Sequence, residues 1–334
     1  MQLQRPLRRH ATFRQTARLL TAALALGWAT LAQCQTAEPA PEVPSDTVLR
    51  HRYALPGSHF AKIAGEDIHY VDEGKGPAIL LLHGSFANVR QLDGWAKVLS
   101  RKYRVIRFDQ SPGGLSGGNP RGDYSTTQRI AVIDGLMDKL GVQKFVLLGT
   151  SSSGVLATAY AAARESRLNG LILANIAVAD FTLDFSTMPK ALLDAVAEDR
   201  THPTFHRHEF WRQILLANIT DDSQVTPELV EQWTVLNNRA LRDAESMRAI
   251  RETKFSFASS GEDLKHIATP TLFVWGRDEH ETPLETHGIP GFAMSVAKDK
   301  TLELIPGCSH MMPLDCPVQS AARMLPFLDR VTGR

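Results

Sequence analysis

Several things are scarce in this 334-residue chain. Cysteine occurs only at Cys34, Cys308 and Cys316, too few for a disulfide framework. Net charge is nearly absent, since 37 basic residues face 36 acidic ones. With no long basic run beyond the N-terminus, nucleic acid is not expected as a partner. No internal repeat appears, which argues against solenoids and propellers, and no low-complexity stretch interrupts the chain after its leader. The uncharged apolar run from Leu19 to Ala32 is fourteen residues, short of the roughly 20 that a spanning helix needs.

What is present begins with a leader. Arg5, Arg8, Arg9, Arg14 and Arg18 precede that apolar run, and no acidic residue comes before Glu38. A basic head followed by a short apolar stretch is the pattern of a secretory signal, so export to the periplasm or medium is expected. A mitochondrial transit peptide is the rival reading, disfavoured because the arginines stand before the apolar run rather than within it. Leu31-Ala32-Gln33-Cys34 is similar to a bacterial lipoprotein box, with Gln33 departing from it; a lipid on Cys34 would be the chain's sole membrane attachment. Pro39, Pro41 and Pro44 then suggest a tether. Cys308 and Cys316 remain, and their spacing leaves a bridge and two free thiols as equal alternatives.

Beyond the leader, short apolar runs alternate with helical stretches. Ile68–Val71 and Ala78–His83 read as strands joined by a hairpin-type turn. Val105–Asp109, Phe145–Leu148, Leu168–Ala174, Thr271–Trp275 and Thr301–Ile305 are further strands. Ile130, Ile133, Leu136, Met137 and Leu140 recur at helical spacing behind Ser125 or Thr126 as cap, with Gly141 at the end. Helices are also expected from Gly154 to Ala163 and from Pro317 to Val331. Such alternation argues for an α/β fold with a mostly parallel sheet covered on both faces. Between Val178 and Ile267 only helical spacing appears, which suggests an inserted helical cap. The expected organisation is a leader over 1–36, a linker over 37–50, a core over 51–177 and 268–334, and a cap over 178–267.

Gly149-Thr150-Ser151-Ser152-Ser153-Gly154 follows a strand and opens a helix. A serine on such a turn needs small residues two before and two after it, which Gly149 and Ser153 supply around Ser151. Taking Ser152 instead would leave Gly149 without a role. At this point the chain resembles the α/β-hydrolase family, with Ser153 in place of one glycine of the usual Gly-x-Ser-x-Gly-Gly elbow. The resemblance extends over nearly all of the chain after the leader. Leu80-Leu81-Leu82-His83-Gly84-Ser85 looks like the strand ending in His-Gly that supplies an oxyanion donor. It implies the backbone N–H of Ser85 or Phe86, paired with that of Ser152. Val274-Trp275-Gly276-Arg277-Asp278 resembles the turn that carries the acid, so Asp278 is the expected acid and Glu279 the runner-up. Asn175, at the end of the preceding strand, cannot carry the charge. Gly307-Cys308-Ser309-His310 resembles the turn that carries the base, and the order Ser, Asp, His is that of this fold.

The implied chemistry is acyl transfer from a small-molecule acyl substrate, with no cofactor and no metal. Ser151 would attack a carbonyl, His310 would take its proton, and Asp278 would orient the imidazole. The substrate is expected to be a small carboxylic ester. A carbon–carbon bond hydrolase of the aromatic-breakdown type is the alternative, and a non-catalytic ligand-binding protein a second one. A serine at position 151 argues against the dehalogenases and epoxide hydrolases of the fold, which attack with aspartate. His202, His206, His208 and Glu209 lack a firm ligand spacing and read as a solvated helix face. Phe108-Asp109 and Gly113-Gly114-Leu115-Ser116 match a family loop in part and are assigned no chemistry. Met311 and Met312 read as pocket wall or core, and His83 as structural.

Overall fold

The computed structural model describes residues 40–181 and 188–334. The leader and Cys34 lie outside the described residues. Among those described, no helix is long and apolar enough to cross a membrane.

The chain opens with helix α1 (Asp46–Tyr53) and an antiparallel hairpin of β1 (Ser58–Ile63) and β2 (Glu66–Gly74). Ala64 and Gly65 turn it with φ 49° and 91°, the left-handed backbone that a tight strand reversal needs. Then follow β3 (Ala78–Leu82), α2 (Asp93–Leu99), β4 (Arg104–Phe108), α3 (Thr126–Lys139), β5 (Phe145–Thr150), α4 (Gly154–Arg164) and β6 (Leu168–Ala174). Helices α5 (Lys190–Asp199), α6 (His208–Ala217), α7 (Pro227–Leu241), α8 (Ala244–Glu252) and α9 (Ala258–Leu264) come next. The chain closes with β7 (Thr271–Gly276), α10 (Ile289–Met294), β8 (Lys300–Ile305), α11 (Met312–Asp315) and α12 (Pro317–Thr332).

The sheet order is β1-β2-β4-β3-β5-β6-β7-β8, parallel from β4 to β8. Every residue of β3, β5 and β7 is buried, as expected of strands with helices on both faces. Alternation divides them. Leu80, Leu82, Leu147 and Phe273 face α3, α4 and α9, whereas Ile79, Leu81, Val146, Leu148 and Val274 face α2 and α12. Ser125 caps α3 by accepting from the Gln128 N–H, and Gly141 ends it at φ 68°.

Three sequence-based expectations change. No hairpin joins β2 to β3, because β4 lies between them and pairs antiparallel with β2. The linker expected over 37–50 ends earlier: α1 begins at Asp46, and its Leu49 is fully buried against Val235 and Leu236 of α7. Two arms of Arg239 on Asp46 reinforce that contact. The cap also ends before residue 267. Leu264 of α9 belongs to the same apolar cluster as β5 and α4, so α9 is a core helix. What stands over the sheet is α5 to α8, built around Trp211, Leu215, Val230 and Trp233, with Ala87 and Met311 of the core beneath them.

Candidate active site

Ser151 follows β5 directly and carries φ 55°, a left-handed conformation that costs a non-glycine residue of order 1–3 kcal/mol. Small neighbours make the turn possible. A Cβ on Gly149 would stand 2.7 Å from Ala157 Cβ, and one on Gly84 would stand 3.1 Å from Ser151 Cβ. Ser153 replaces the expected glycine and clamps the turn instead. Its buried Oγ accepts from the Thr150 N–H at 2.9 Å and lies 3.0 Å from Leu82 O, tying β5 to β3.

His310, on the loop after β8, reaches Ser151 Oγ through Nε2 at 2.8 Å. Its Nδ1 meets Glu279 Oε2 at 2.7 Å, so in the neutral ring the Nδ1–H donates and Nε2 is left to accept from the serine. Both His310 and Glu279 are buried, with 4% and 6% exposure. The carboxylate on His310 is therefore Glu279, the runner-up, and not Asp278. The physical reason is local: Arg277 and Asp278 both turn outward after β7 and are exposed, while Glu279 turns inward. The Asp278 backbone N–H is bound to Cys308 O at 3.0 Å. Glu279 also accepts from the Thr282 N–H at 2.9 Å.

A second carboxylate was not anticipated. Glu281 Oε2 lies 3.6 Å from His310 Nε2. Burial pushes the imidazole pKa down, but Glu279 and then Glu281 push it up more strongly, to about 9. Burial pushes the Glu279 carboxyl up, yet the adjacent imidazolium and the N–H groups of Thr282 and Glu281 hold it below the ordinary range.

Asn175 cannot be the acid. It instead joins the two loops that carry the acid and the base. With φ 47° at the end of β6 and full burial, its Nδ2 donates to Ser309 O and His310 O, both at 3.0 Å, and its Oδ1 accepts from Gly276 N–H. The sequence signal was its residue type at a strand end, since asparagine tolerates this backbone better than most. The His310 loop is further tied by a Cys308–Cys316 disulfide and by Asp315, which accepts from Ser309 N–H at 2.7 Å.

On the other side of Ser151, the Gly84 N–H is engaged by Gln91 Oε1 at 3.1 Å. The chain then turns at Phe86 with φ 58°, and Asn237 of α7 donates to Phe86 O at 2.9 Å. Among the described backbone contacts, the N–H groups of Ser85 and Phe86 have no acceptor. Ser152 lies in the helical turn Ser151–Ser153 that leads into α4, where N–H groups are unpaired by geometry. Ser85 Oγ donates to Ser152 Oγ at 2.8 Å, so both sides of the expected oxyanion site meet.

A cavity of about 380 Å³ reaches Gly84, Ser85, Phe86 and Ser152 on this side and extends beneath α7 and α8. Neither Ser151 nor His310 is in its wall; Ser151 stands at its edge, next to Ser152 in the chain and to Gly84 in space. The histidines of the cap do not converge. His206 pairs with Asp199, His208 with Glu231, and Glu209 accepts from Gln213. Among the described residues, no three ligand-type side chains are grouped to hold a metal. His83 is buried; its Nε2 accepts from the Gln110 N–H and its Nδ1 faces Gly84 O, so it braces the loop.

A family model described as the alpha/beta hydrolase fold matches residues 77–317. The chain belongs to that family. Among curated relatives, it is 26% identical over 245 residues to a 2-hydroxy-6-oxo-6-phenylhexa-2,4-dienoate hydrolase of Comamonas testosteroni, covering 70% of this chain and 83% of that one. It is 30% identical over 231 residues to a 2-hydroxy-6-oxononadienedioate/2-hydroxy-6-oxononatrienedioate hydrolase of Burkholderia vietnamiensis, covering 65% and 76%. Among solved structures, a meta-cleavage product hydrolase from Pseudomonas fluorescens matches with a TM-score of 0.65 at 24% identity, covering 82% of this chain and 97% of that one. A thermophilic esterase from Thermogutta terrifontis matches with a TM-score of 0.63 at 23% identity, covering 82% and 99%. This α/β-hydrolase-fold chain is a hydrolase enzyme.

Proposed function

We propose that the chain is a serine hydrolase that cleaves a carbon–carbon bond next to a ketone in an oxo-dienoate, with Ser151 as nucleophile, His310 as base and Glu279 as its orienting acid. The observation that carries the chemistry is the unbroken line from Ser151 Oγ through His310 to Glu279, at 2.8 and 2.7 Å. The bond that is cleaved is inferred from the relatives, whose names specify 2-hydroxy-6-oxo-dienoates. This departs from the small ester that the sequence alone suggests.

Each step follows from the geometry. His310 Nε2 takes the Ser151 proton as Oγ adds to the ketone, and the oxyanion forms beside the N–H groups of Ser152 and of Ser85 or Phe86. One such donor is typically worth about 3 kcal/mol. The substrate first ketonises, C5 gaining a proton as the 2-hydroxyl gives one up, so that collapse breaks the bond between C5 and the C6 carbonyl and its electron pair passes into the C4=C3–C2=O system as a dienolate. The imidazolium returns its proton to that fragment, Glu279 having stabilised the cation meanwhile. Water then attacks the acyl-enzyme by the same route and releases the acid.

One observation favours ester cleavage as a second reading. Glu281 stands 3.6 Å from Nε2, where the leaving group takes its proton, and a carboxylate there disfavours a departing delocalised anion. The two readings separate in one assay. Incubation with 2-hydroxy-6-oxo-6-phenylhexa-2,4-dienoate should yield benzoate by chromatography, and Ser151→Ala should yield none. Turnover of aryl esters with no benzoate from the dienoate would reject the carbon–carbon reading and leave the ester one.

A further inference from the structure

The cavity beside Ser152 is apolar over much of its wall, with Val155 and Leu156 from α4, and Met247 and Ile250 from α8. Its charged groups are of one sign. Arg129 and Lys254 line it, and among the described residues no Asp or Glu does. Lys254 is exposed, whereas Arg129 lies in the first turn of α3 and is half-buried.

Arg129 is poorly used by the protein. Its Nε donates to Tyr124 O at 3.2 Å and its guanidinium stands 5.9 Å from the Tyr124 ring centre. No ion pair engages it, and neither Nη has a hydrogen bond among the described contacts. Glu66 is the acidic group whose charge bears on it, but Glu66 Oε1 is already held by Asn119 Nδ2 at 2.8 Å and Gln128 Nε2 at 2.7 Å. Burial lowers the guanidinium pKa without bringing it near neutrality, because arginine stays charged. A half-buried cation that lines a cavity, with no carboxylate of the described residues in ion-pair reach, is free to take an anionic partner there.

We infer that Arg129 is a specificity-determining anion anchor, which selects acyl substrates carrying a carboxylate at the end of an apolar spacer. A planar fork of two N–H groups suits a carboxylate, and the apolar wall between Arg129 and the oxyanion side suits a hydrocarbon spacer. The inference rests on the reading of Ser151 as the nucleophile that serves this cavity.

The test compares 6-oxoheptanoate with its neutral amide by titration calorimetry on the unaltered protein and on Arg129→Gln. The unaltered protein should bind the carboxylate about 10- to 100-fold more tightly than the amide, the usual value of a charge-assisted contact. Arg129→Gln should remove that preference and leave amide binding unchanged. The ratio in the unaltered protein stands even if the variant does not fold. Equal affinities, no binding of either compound, or a preference that survives Arg129→Gln or is abolished only by Lys254→Gln overturns the inference. Hydrolysis of a neutral aryl ester, lost in Ser151→Ala, reports separately on the nucleophile. Esterase activity without a carboxylate preference therefore rejects the anchor and not the hydrolase.

Discussion

Among the described residues, two serine–histidine–carboxylate lines share the same local geometry. One runs from Ser151 Oγ to His310 at 2.8 Å and on to Glu279 at 2.7 Å. The other runs from Ser58 Oγ to His69 Nε2 at 2.7 Å and from His69 Nδ1 to Asp109 at 2.7 Å. Distances alone would make both of them catalytic. Their surroundings separate them. Ser151 is strained at φ 55°, opens the turn leading into α4, and adjoins Ser152 and Gly84 of the cavity wall. Ser58 lies at the start of the edge strand β1, accepts from the Leu55 N–H, and is absent from the cavity wall. His69 is covered by the Phe60 ring at 4.9 Å. Asp109 spends its remaining capacity on the loops, accepting from Val89 N–H and Leu115 N–H, both at 2.7 Å. A Cβ on Gly114 would stand 2.2 Å from that carboxylate, so the loop closes on it. The relay geometry is thus generic; the elbow, the donors and the cavity turn it into a reactive site.

Replacing the two acids should break them in different ways. Glu279→Gln keeps the shape but removes the charge that orients and stabilises the imidazolium, and should lower kcat by about 10³- to 10⁴-fold in steady-state assays. Asp278→Asn should change it by less than about 3-fold, as expected for an exposed side chain away from the chemistry. Asp109→Ala should instead act on the fold. It strands three buried donors, so denaturant melts should show a loss of about 3–5 kcal/mol, while activity per folded molecule stays near that of the unaltered protein. Asn175→Ala removes the strut beneath both loops of the first line. It should lower kcat by about 10- to 100-fold with KM little changed, because the reacting groups lose alignment.

The sequence made the elbow, the base and the strands of the central sheet legible, because each rests on local chemistry. Gly149 and Gly154 frame a turn that only small residues allow, and the wholly apolar Phe145–Leu148 needs two covered faces. Glu279 was legible only to within one residue. Nothing in Asp278-Glu279 says which carboxylate turns inward; the path of the chain from Gly276 decides it, and there a Cβ would stand 2.3 Å from Cys308 O. Strand β1 went unseen because its side chains are mostly exposed and do not alternate. The contacts of Asn175 and Glu281 depend on residues up to 135 positions away, and the cavity that Arg129 lines is walled in part by α7 and α8, beyond the reach of any local pattern.

The smallest effect sharpens the electrostatics of the first line. Glu281→Gln removes a negative charge beside Nε2, so the protonated imidazole loses support and its pKa falls. The acid limb of kcat/KM, which reports the free enzyme, should then move to lower pH by about half a unit to one unit. A limb that stays in place would mean that Glu281 does not act on His310.

The most direct test of the central claim is to treat the folded protein with a fluorophosphonate and locate the adduct by peptide mass spectrometry. The account predicts a single adduct on Ser151 and none on Ser58, despite their shared geometry. An adduct on Ser58 or Ser152, or no adduct on a folded sample, would contradict it.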